Sequence, residues 1–298
     1  MSVRINPDPS VDLLAAIAQN REAQQTALQQ ISTGQSVNQL SDDPAAAAAV
    51  VLNHVQSNQD GQYLQNISAL QSQLQSVDAT LNSAVQAVTQ AISLGTEGAN
   101  GTLSDSDRQA VAEQLVGIRD QVLSLANQTF QGNYVFAGTA TSTQPFVLDS
   151  TQPDGVRYDG NSATNSIEIS SGQTIPVNLP GSQIFTNPSG DVLGSLNGMI
   201  TALQNNSGID AANANLQKAF SQLTTQRVFY GNTLQQMQST QTFLNTDRVQ
   251  LAQQENSLIG VDLTTSITNL QQASVATDAI LSATSQILST LNLLNFIQ

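Results

Sequence analysis

Two neighbouring carboxylates, Asp42 and Asp43, could form an acid–base pair or hold a metal ion. The residue types around them favour a structural role. Pro44 fits the first position of a helix, and Asp43 fits the N-cap before it. Both carboxylates would then face the positive end of the helix dipole. We therefore expect a helix start here, and no catalytic or metal-binding site.

His54 is the only histidine, so a Ser-His-Asp triad or a histidine-ligated metal would have to be built around it. It lies in a helical stretch beside Val51, Leu52 and Val55, where a structural histidine is the better interpretation. The acidic run 104–107 lacks the glycine and the distal glutamate of a calcium loop, and it stands where a helix cap belongs. We expect no catalytic residue, no metal, no cofactor and no enzymatic activity.

The composition indicates long helices with neutral polar faces. Aromatic residues make up 4% of the 298 residues and charged residues 10%, and both values are low for a globular protein. The net charge of -14 argues against a nucleic-acid partner, because binding a phosphate backbone needs clusters of basic residues. The chain has no cysteine, which excludes disulfides and thiolate metal sites.

Neither end of the chain resembles a membrane segment. The N-terminal residues have no apolar region of a secretory signal peptide, so we expect any export to use another route. Residues 279–298 carry no charge, but their many Ser, Thr, Asn and Gln side chains argue against a membrane span. We expect no membrane insertion.

A helix is predicted at each end of the chain, and each helix carries one apolar stripe. Ser10 or Asp12 is the expected cap of the first helix, and Gly34 the expected end. Asp262 is the expected cap of the last helix. The stripes suit either close packing in an assembly or the core of a monomer, and they are formed by Val11, Leu14, Ile17, Leu28, Ile31, Leu263, Ile267, Leu270, Ile280, Ile287, Leu291 and Leu294.

Three further stretches show the heptad spacing of coiled-coil seams. They are residues 62–94, 111–125 and 210–259, and we expect Gly95, Gly98 and Gly101 to form the loop after the first. Five of the eight prolines lie between residues 145 and 188, together with short alternating strands and turn signals, which indicates a β-rich insert.

The predicted fold is mainly α, a long antiparallel helical bundle or coiled coil formed by the N- and C-terminal regions with a small β-rich insert. The expected domains are a terminal helical domain (1–40 with 260–298), a helical bundle (41–132 with 190–259) and the β-rich insert (133–189).

Several motifs give the chain a family resemblance. The segment 41–48 (Ser41, Asp42, Asp43, Pro44 and four alanines) resembles the N-terminal signature of the flagellin superfamily, in the form found in hook–filament junction proteins. The segment ANQTFQGNYVFAG, which contains Gly132, Tyr134, Phe136 and Gly138, resembles the hook-associated protein 3 type of that superfamily. The last stretch, 262–294, resembles the C-terminal domain of the same family.

The resemblance implies a structural component of the bacterial flagellum. It implies secretion by the flagellar type III apparatus after binding to an export chaperone, and an extracellular location at the hook–filament junction. Its implied partners are the first hook–filament junction protein, flagellin and copies of itself in a ring of about eleven subunits. The terminal stripes would pack between subunits. The alternatives are a filament-forming flagellin, which shares the fold, and an unrelated coiled-coil scaffold or adhesin.

Overall fold

The computed structural model describes the backbone of residues 9–295 and the side chains of residues 13–286. These residues are mainly helical, with a few short antiparallel strand pairs, so the mainly-α prediction is confirmed. The helices are α1 (Pro9–Thr33), α2 (Pro44–Gly98), α3 (Asp105–Ala126), α4 (Gly181–Ile184), α5 (Val192–Gln204), α6 (Ile209–Ile259) and α7 (Leu263–Asn295).

The strands form four antiparallel pairs of two strands each in the described chain. Their pairing order is β1 (Thr129–Phe130) with β2 (Asn133–Tyr134), β3 (Phe146–Leu148) with β4 (Val156–Tyr158), β5 (Ser166–Ser170) with β6 (Gln173–Pro176), and β7 (Thr186–Asn187) with β8 (Gly190–Asp191). Such small sheets do not stand alone, so this region depends on packing against helices.

The chain divides into two compact units. The terminal unit is built from the residues up to Asn58 together with those from Thr246 onward, and the central unit runs from Gln59 to Asn245. All strands lie in the central unit. The finer division into a terminal domain, a bundle and a β-rich insert stays a prediction.

The seam predicted for 62–94 forms the core face of α2. Each of its eight apolar positions is at most 5% exposed, and these are Ile67, Leu70, Leu74, Val77, Leu81, Ala84, Val88 and Ala91. They join one apolar cluster with residues of α3, α5 and α6. Shortening one of the buried leucines to alanine in such a core typically costs about 2–5 kcal/mol.

Three phenylalanines make the core of the β-rich region. Phe136, Phe146 and Phe185 are fully buried, and their rings meet edge to face at centroid distances of 5.2 Å (Phe136–Phe185) and 5.7 Å (Phe146–Phe185). Edge-to-face contacts are the favourable geometry for aromatic pairs. Three of the scarce aromatic residues thus supply the large buried side chains of this region.

The predicted helix ends are partly right. α2 begins at Pro44, and Asp43 Oδ1 accepts hydrogen bonds of 3.0 Å from the amides of Ala45 and Ala46. Asp42 was wrongly expected to face this helix. Its Oδ2 accepts from the amides of Asn38 and Gln39, so it stabilises the preceding turn instead.

Two other expectations about helix ends are wrong. Helix α1 already includes Pro9, so Ser10 and Asp12 lie inside it and neither is its N-cap. Gly95 and Gly98 belong to α2 and not to a loop. A β-carbon at Gly95 would lie 2.5 Å from Met199, and one at Gly98 would meet Leu203. A larger residue at either position would therefore have to displace these side chains of α5.

Candidate subunit-packing surface

The first and last described helices pair with each other inside the terminal unit. Gln24 Nε2 of α1 donates to the carbonyl of Ala273 (3.1 Å) and to Oγ1 of Thr277 (3.0 Å) on α7. Ser266 Oγ donates to Gln30 Oε1 at 3.3 Å. The buried face of this pair consists of small residues, since Ala273 is 7% exposed and Ser266 2% exposed. The two chain ends are therefore partners, joined by a narrow polar and alanine-lined contact.

The turns next to these helices are tied together through the backbone. The amide of Ser36 donates to the carbonyl of Ile259 at 2.6 Å, and the amide of Val261 donates to the carbonyl of Gly34 at 3.1 Å. Gly34 ends α1 with a φ of 71°, in the left-handed region that favours glycine, as expected for a residue after a helix. These bonds fix where α1 ends and where α7 begins.

Asp262 caps α7 as predicted. Its carboxylate accepts from the amides of Thr264 (2.8 Å) and Thr265 (3.3 Å), and from the hydroxyl of Thr265 at 3.0 Å. The hydrogen bond from the Thr265 hydroxyl, with the backbone bonds, holds the pKa of Asp262 below its ordinary value, because each donor favours the ionised carboxylate. The start of the last helix is thus well defined.

The structure separates the predicted packing residues into three groups. Leu14, Leu28, Leu263 and Ile267 are exposed, whereas Ile17, Ile31, Leu270 and Ile280 are half-buried. The other four, Val11, Ile287, Leu291 and Leu294, lie outside the residues whose side chains are described. The contact between α1 and α7 therefore leaves part of each apolar stripe exposed. Packing of these stripes between subunits stays a prediction.

Exposed large apolar side chains are concentrated in the terminal unit. Eleven of the fourteen found among the described residues belong to it, namely Leu14, Leu28, Leu40, Val51, Leu52, Val55, Val249, Leu263, Ile267, Val275 and Leu281. The other three, Leu148, Val228 and Phe243, are spread through the central unit. Scattered apolar residues are normal on a protein surface, but a concentration of them indicates a binding surface.

Sequence reasoning missed one part of this surface. Val51, Leu52 and Val55 of α2 are 58%, 70% and 49% exposed, and their spacing places them on one side of the helix. They were noted only as neighbours of His54. The available signal was an apolar group with helical spacing that does not continue the seam beginning at Ile67.

The family motif residues belong to other elements than the packing stripes on α1 and α7. Ser41 to Pro44 form the turn and cap before α2, whereas the second motif belongs to the central unit. There, Gly132 adopts a φ of 83° in the β1–β2 turn, and Phe136 is fully buried. Gly138 adopts a φ of 70°, and a β-carbon there would meet the carbonyl of Asn161. The second motif therefore shapes the β-rich region.

In the part of the chain that the structure describes, the side chain of His54 makes one contact, at the surface. Its Nε2 lies 3.1 Å from Oε1 of Glu255, and its side chain is 59% exposed. Among the residues that the structure describes, no three His, Cys, Asp or Glu side chains come together as a possible metal site. Within the same residues, no helix has the length and apolar character needed to cross a membrane.

The family model and the most similar known proteins point to the same family. Residues 8–141 match the model of the bacterial flagellin N-terminal helical region. Flagellar hook-associated protein 3 of Salmonella typhimurium is 33% identical over 285 residues, which covers 83% of this chain and 85% of that protein. Its namesake in Escherichia coli is 28% identical, covering 81% of this chain and 83% of that protein.

Solved structures support the fold. A flagellar hook-associated protein from Vibrio parahaemolyticus superposes with a TM-score of 0.66 at 22% identity, covering 74% of this chain and all of that one. The flagellar junction protein FlgL from Legionella pneumophila gives a TM-score of 0.63 at 15% identity, covering 71% of this chain and all of that one. On the strength of the Salmonella match in particular, the chain belongs to the flagellar hook-associated protein 3 family, within the flagellin-like proteins.

Proposed function

We propose that this chain is a structural subunit of the bacterial flagellum, which assembles at the junction of hook and filament by packing its terminal unit against neighbouring subunits. The observation that carries this proposal is the concentration of exposed large apolar side chains in that unit. Family membership supports the flagellar setting. The exposed side chains support the mode of assembly, because burying them is the main driving force available for association.

The terminal helices have the chemistry that a subunit interface needs. The α1–α7 contact buries small side chains and leaves Leu14 and Leu28 on α1, and Leu263, Ile267 and Leu281 on α7, open to contact. Asp278 is the only charged residue within the bounds of α7. Because an unpaired charge is costly to bury, an almost uncharged helix can be enclosed by neighbours on several sides.

The apolar group on α2 provides a second contact surface in the same unit. Val51, Leu52 and Val55 present adjacent side chains and are flanked on α2 by neutral residues and His54. A subunit that touches more than one neighbour needs at least two separate surfaces. The α2 group and the α7 stripe can fill these two roles.

The remaining parts of the proposal rest on the family. The terminal helices form the inner layer of the axial tube, the long helices form its wall, and the β-rich region faces outward. About eleven copies form a ring between the first hook–filament junction protein and flagellin. The chain is held by an export chaperone, leaves the cell through the flagellar type III apparatus, and functions outside the cell without catalytic activity or cofactors.

A matched pair of leucine substitutions tests the assembly surface. Leu281 on α7 is 50% exposed, and Leu148 on β3 is 48% exposed, so each can be changed to aspartate at similar cost to the fold. We expect Leu281→Asp to prevent filament formation in cells that lack the native protein, and Leu148→Asp to restore filaments. Electron microscopy counts the filaments, and immunoblots of the culture medium show whether each variant is exported.

The outcome separates assembly from export and folding. An exported, folded Leu281→Asp protein without filaments supports packing through α7. Normal filaments with Leu281→Asp would refute that packing mode, and loss of filaments with both variants would show that the terminal unit has no special role. Circular dichroism of the purified variants checks that both remain helical.

Seeded polymerisation distinguishes the junction role from that of a flagellin. We expect the purified chain to stay soluble when precipitating salt and flagellin seeds are added, and to bind hook ends that carry the first junction protein. Long filaments made of this chain alone would make it a flagellin. Binding to neither seeds nor hooks would refute the proposed role at the junction.

A further inference from the structure

A cleft in the central unit has a chemistry that the assembly role does not use. It lies between the middle of α2, the β1–β2 hairpin and the segment around β5 and β6, and its volume is about 480 Å³. This volume is within the range of small-molecule sites. We propose that the cleft binds a neutral, hydroxyl-rich ligand, namely a short oligosaccharide.

The lining is uncharged and rich in carboxamides. None of the sixteen residues around the cleft is charged, and six of them are amides: Asn66, Gln73, Gln131, Asn133, Asn165 and Asn178. A carboxamide offers both donors and an acceptor, which is also what a sugar hydroxyl needs from its partners. An ionic ligand would find no counter-charge here, so the lining selects for neutral polar groups.

Several of these polar groups are available to a ligand. Across the described chain, the side chains of Gln73, Gln131 and Asn133 and the hydroxyl of Tyr134 have no hydrogen-bond partner. Asn178, in contrast, is engaged in the fold, since its Oδ1 accepts from the amide of Asn165 at 2.8 Å. The cleft therefore combines amides that shape it with amides and a hydroxyl that remain free.

Aromatic residues are also part of the lining. Phe130 and Tyr134 are half-buried and lie on neighbouring strands of the β1–β2 hairpin, and the lining includes the buried Leu70 and Val135. Because Phe130 pairs with Asn133 and Tyr134 with Thr129, the two side chains leave opposite faces of the hairpin, so one ring is offered to a given ligand. The two-residue turn at Gln131 and Gly132 has φ values of 51° and 83°, as in the tight turns that join antiparallel strands. An amphipathic, positioned ring suits the apolar face of a sugar at little entropic cost.

A peptide added as an extra strand is a poorer occupant. Strand addition needs free backbone groups, but the amides of Tyr134 and Val135 already donate to the carbonyls of Thr141 (2.8 Å) and Gln128 (3.2 Å). The amide of Val177 donates to the carbonyl of Asn165 at 2.8 Å. The polar groups left at the cleft are side chains, which favours a ligand read through its hydroxyls.

Saturation-transfer NMR on the full chain tests this site with three neutral probes: cellopentaose, maltopentaose and chitopentaose. We expect at least one of them to bind with a Kd of about 1 mM. We further expect Tyr134→Ala and Gln73→Ala each to weaken that binding about fivefold or more. The matched controls are Phe243→Ala and Gln236→Ala, which remove an exposed ring and an exposed amide elsewhere in the central unit.

Each outcome of the binding experiment either supports or overturns oligosaccharide binding in the cleft. Binding that is weakened by the two cleft substitutions and unchanged in the controls supports the proposal. No transfer to any probe at about ten times that Kd overturns it, as does binding that all four variants retain equally. Preferential binding of a neutral Asn- and Gln-rich peptide would overturn the ligand class. The result is independent of the assembly proposal, because none of the substitutions touches the terminal unit.

Discussion

Removing a single oxygen from Tyr230 should destabilise the central unit in a way that depends on pH. Tyr230 of α6 is 1% exposed, and its hydroxyl accepts a hydrogen bond of 3.0 Å from the amide of Leu179, just after β6. Tyr230→Phe keeps the ring and leaves that amide without its partner. Because Leu179 is partly buried, we expect a loss of about 1–2 kcal/mol in the free energy of unfolding at pH 8.

Tyr230→Phe should reduce the free energy of unfolding by a smaller amount at alkaline pH. Burial raises the pKa of Tyr230 to about 12, against an ordinary value of 10.0, although the bond from Leu179 opposes this rise. The folded state holds the phenol proton more tightly than the unfolded state does. The protonated hydroxyl therefore makes its full contribution to the free energy of unfolding below pH 10, and this contribution is lost as the pH rises towards 12. The wild-type advantage over Tyr230→Phe should therefore shrink by about 1.4 kcal/mol between pH 8 and pH 11.

Urea unfolding followed by circular dichroism at the two pH values measures both effects. Tyr134→Phe is the control, because the hydroxyl of Tyr134 has no hydrogen-bond partner in the described part of the chain, and we expect it to change stability little at either pH. A Tyr230→Phe deficit that is the same at pH 8 and pH 11 would refute the argument from burial. No deficit at pH 8 would refute the role of the Leu179 bond.

Three further predictions concern glycines and helix caps. Gly61→Ala should raise the melting temperature, since a helical glycine with open space around it costs about 0.5–1 kcal/mol, whereas Gly98→Ala should lower it because its β-carbon would meet Leu203. Asp43→Ala removes the two hydrogen bonds that the amides of Ala45 and Ala46 donate at the start of α2. The free energy of unfolding, measured in urea, should fall by about 1 kcal/mol. Burial, with a contribution from nearby Asp154, raises the pKa of Asp191 to about 6. The stability linked to that proton is present below pH 4 and is lost as the pH rises through 6, so Asp191→Asn should reduce this pH dependence in thermal melts from pH 4 to pH 8.

The long helices could be predicted because their signals are local and repeated. In α2 the heptad from Ile67 to Ala91 is buried at every expected position, and Asp43, Ser104 and Asp262 accept hydrogen bonds as helix caps. Each of these features depends on residues within a turn or two of one another. Such features can be predicted from the local sequence alone.

The errors arise where a distant element decides the conformation. Gly95 and Gly98 look like loop residues, but both lie in α2, where a β-carbon would contact the Met199 and Leu203 side chains of α5. The hydrogen bond from Leu179 to Tyr230 joins residues 51 positions apart, and no spacing rule could have indicated it.

The candidate surface was only half predictable for a related reason. Periodicity shows that Leu14, Leu28, Leu263 and Ile267 lie on apolar stripes, but not which side of each stripe the α1–α7 contact leaves open. Val51, Leu52 and Val55 form too short a group to stand out from the alanine-rich start of α2. Exposure is a property of the fold, so these residues could be recognised only in the structure.

The two units differ in the side chains that they bury. The central unit holds nearly all of the large buried side chains, whereas the terminal unit buries mainly small ones such as Ala27, Ala46 and Ala273. If half of the area of each of its eleven exposed apolar side chains were covered on assembly, each would contribute about 1 kcal/mol and the set about 10 kcal/mol. That gross value is comparable to the entropic cost of fixing a subunit, so contacts made by one neighbour alone would be weak. Stable attachment would then require several neighbours at once, which is the condition that a closed ring meets and a pair of subunits does not.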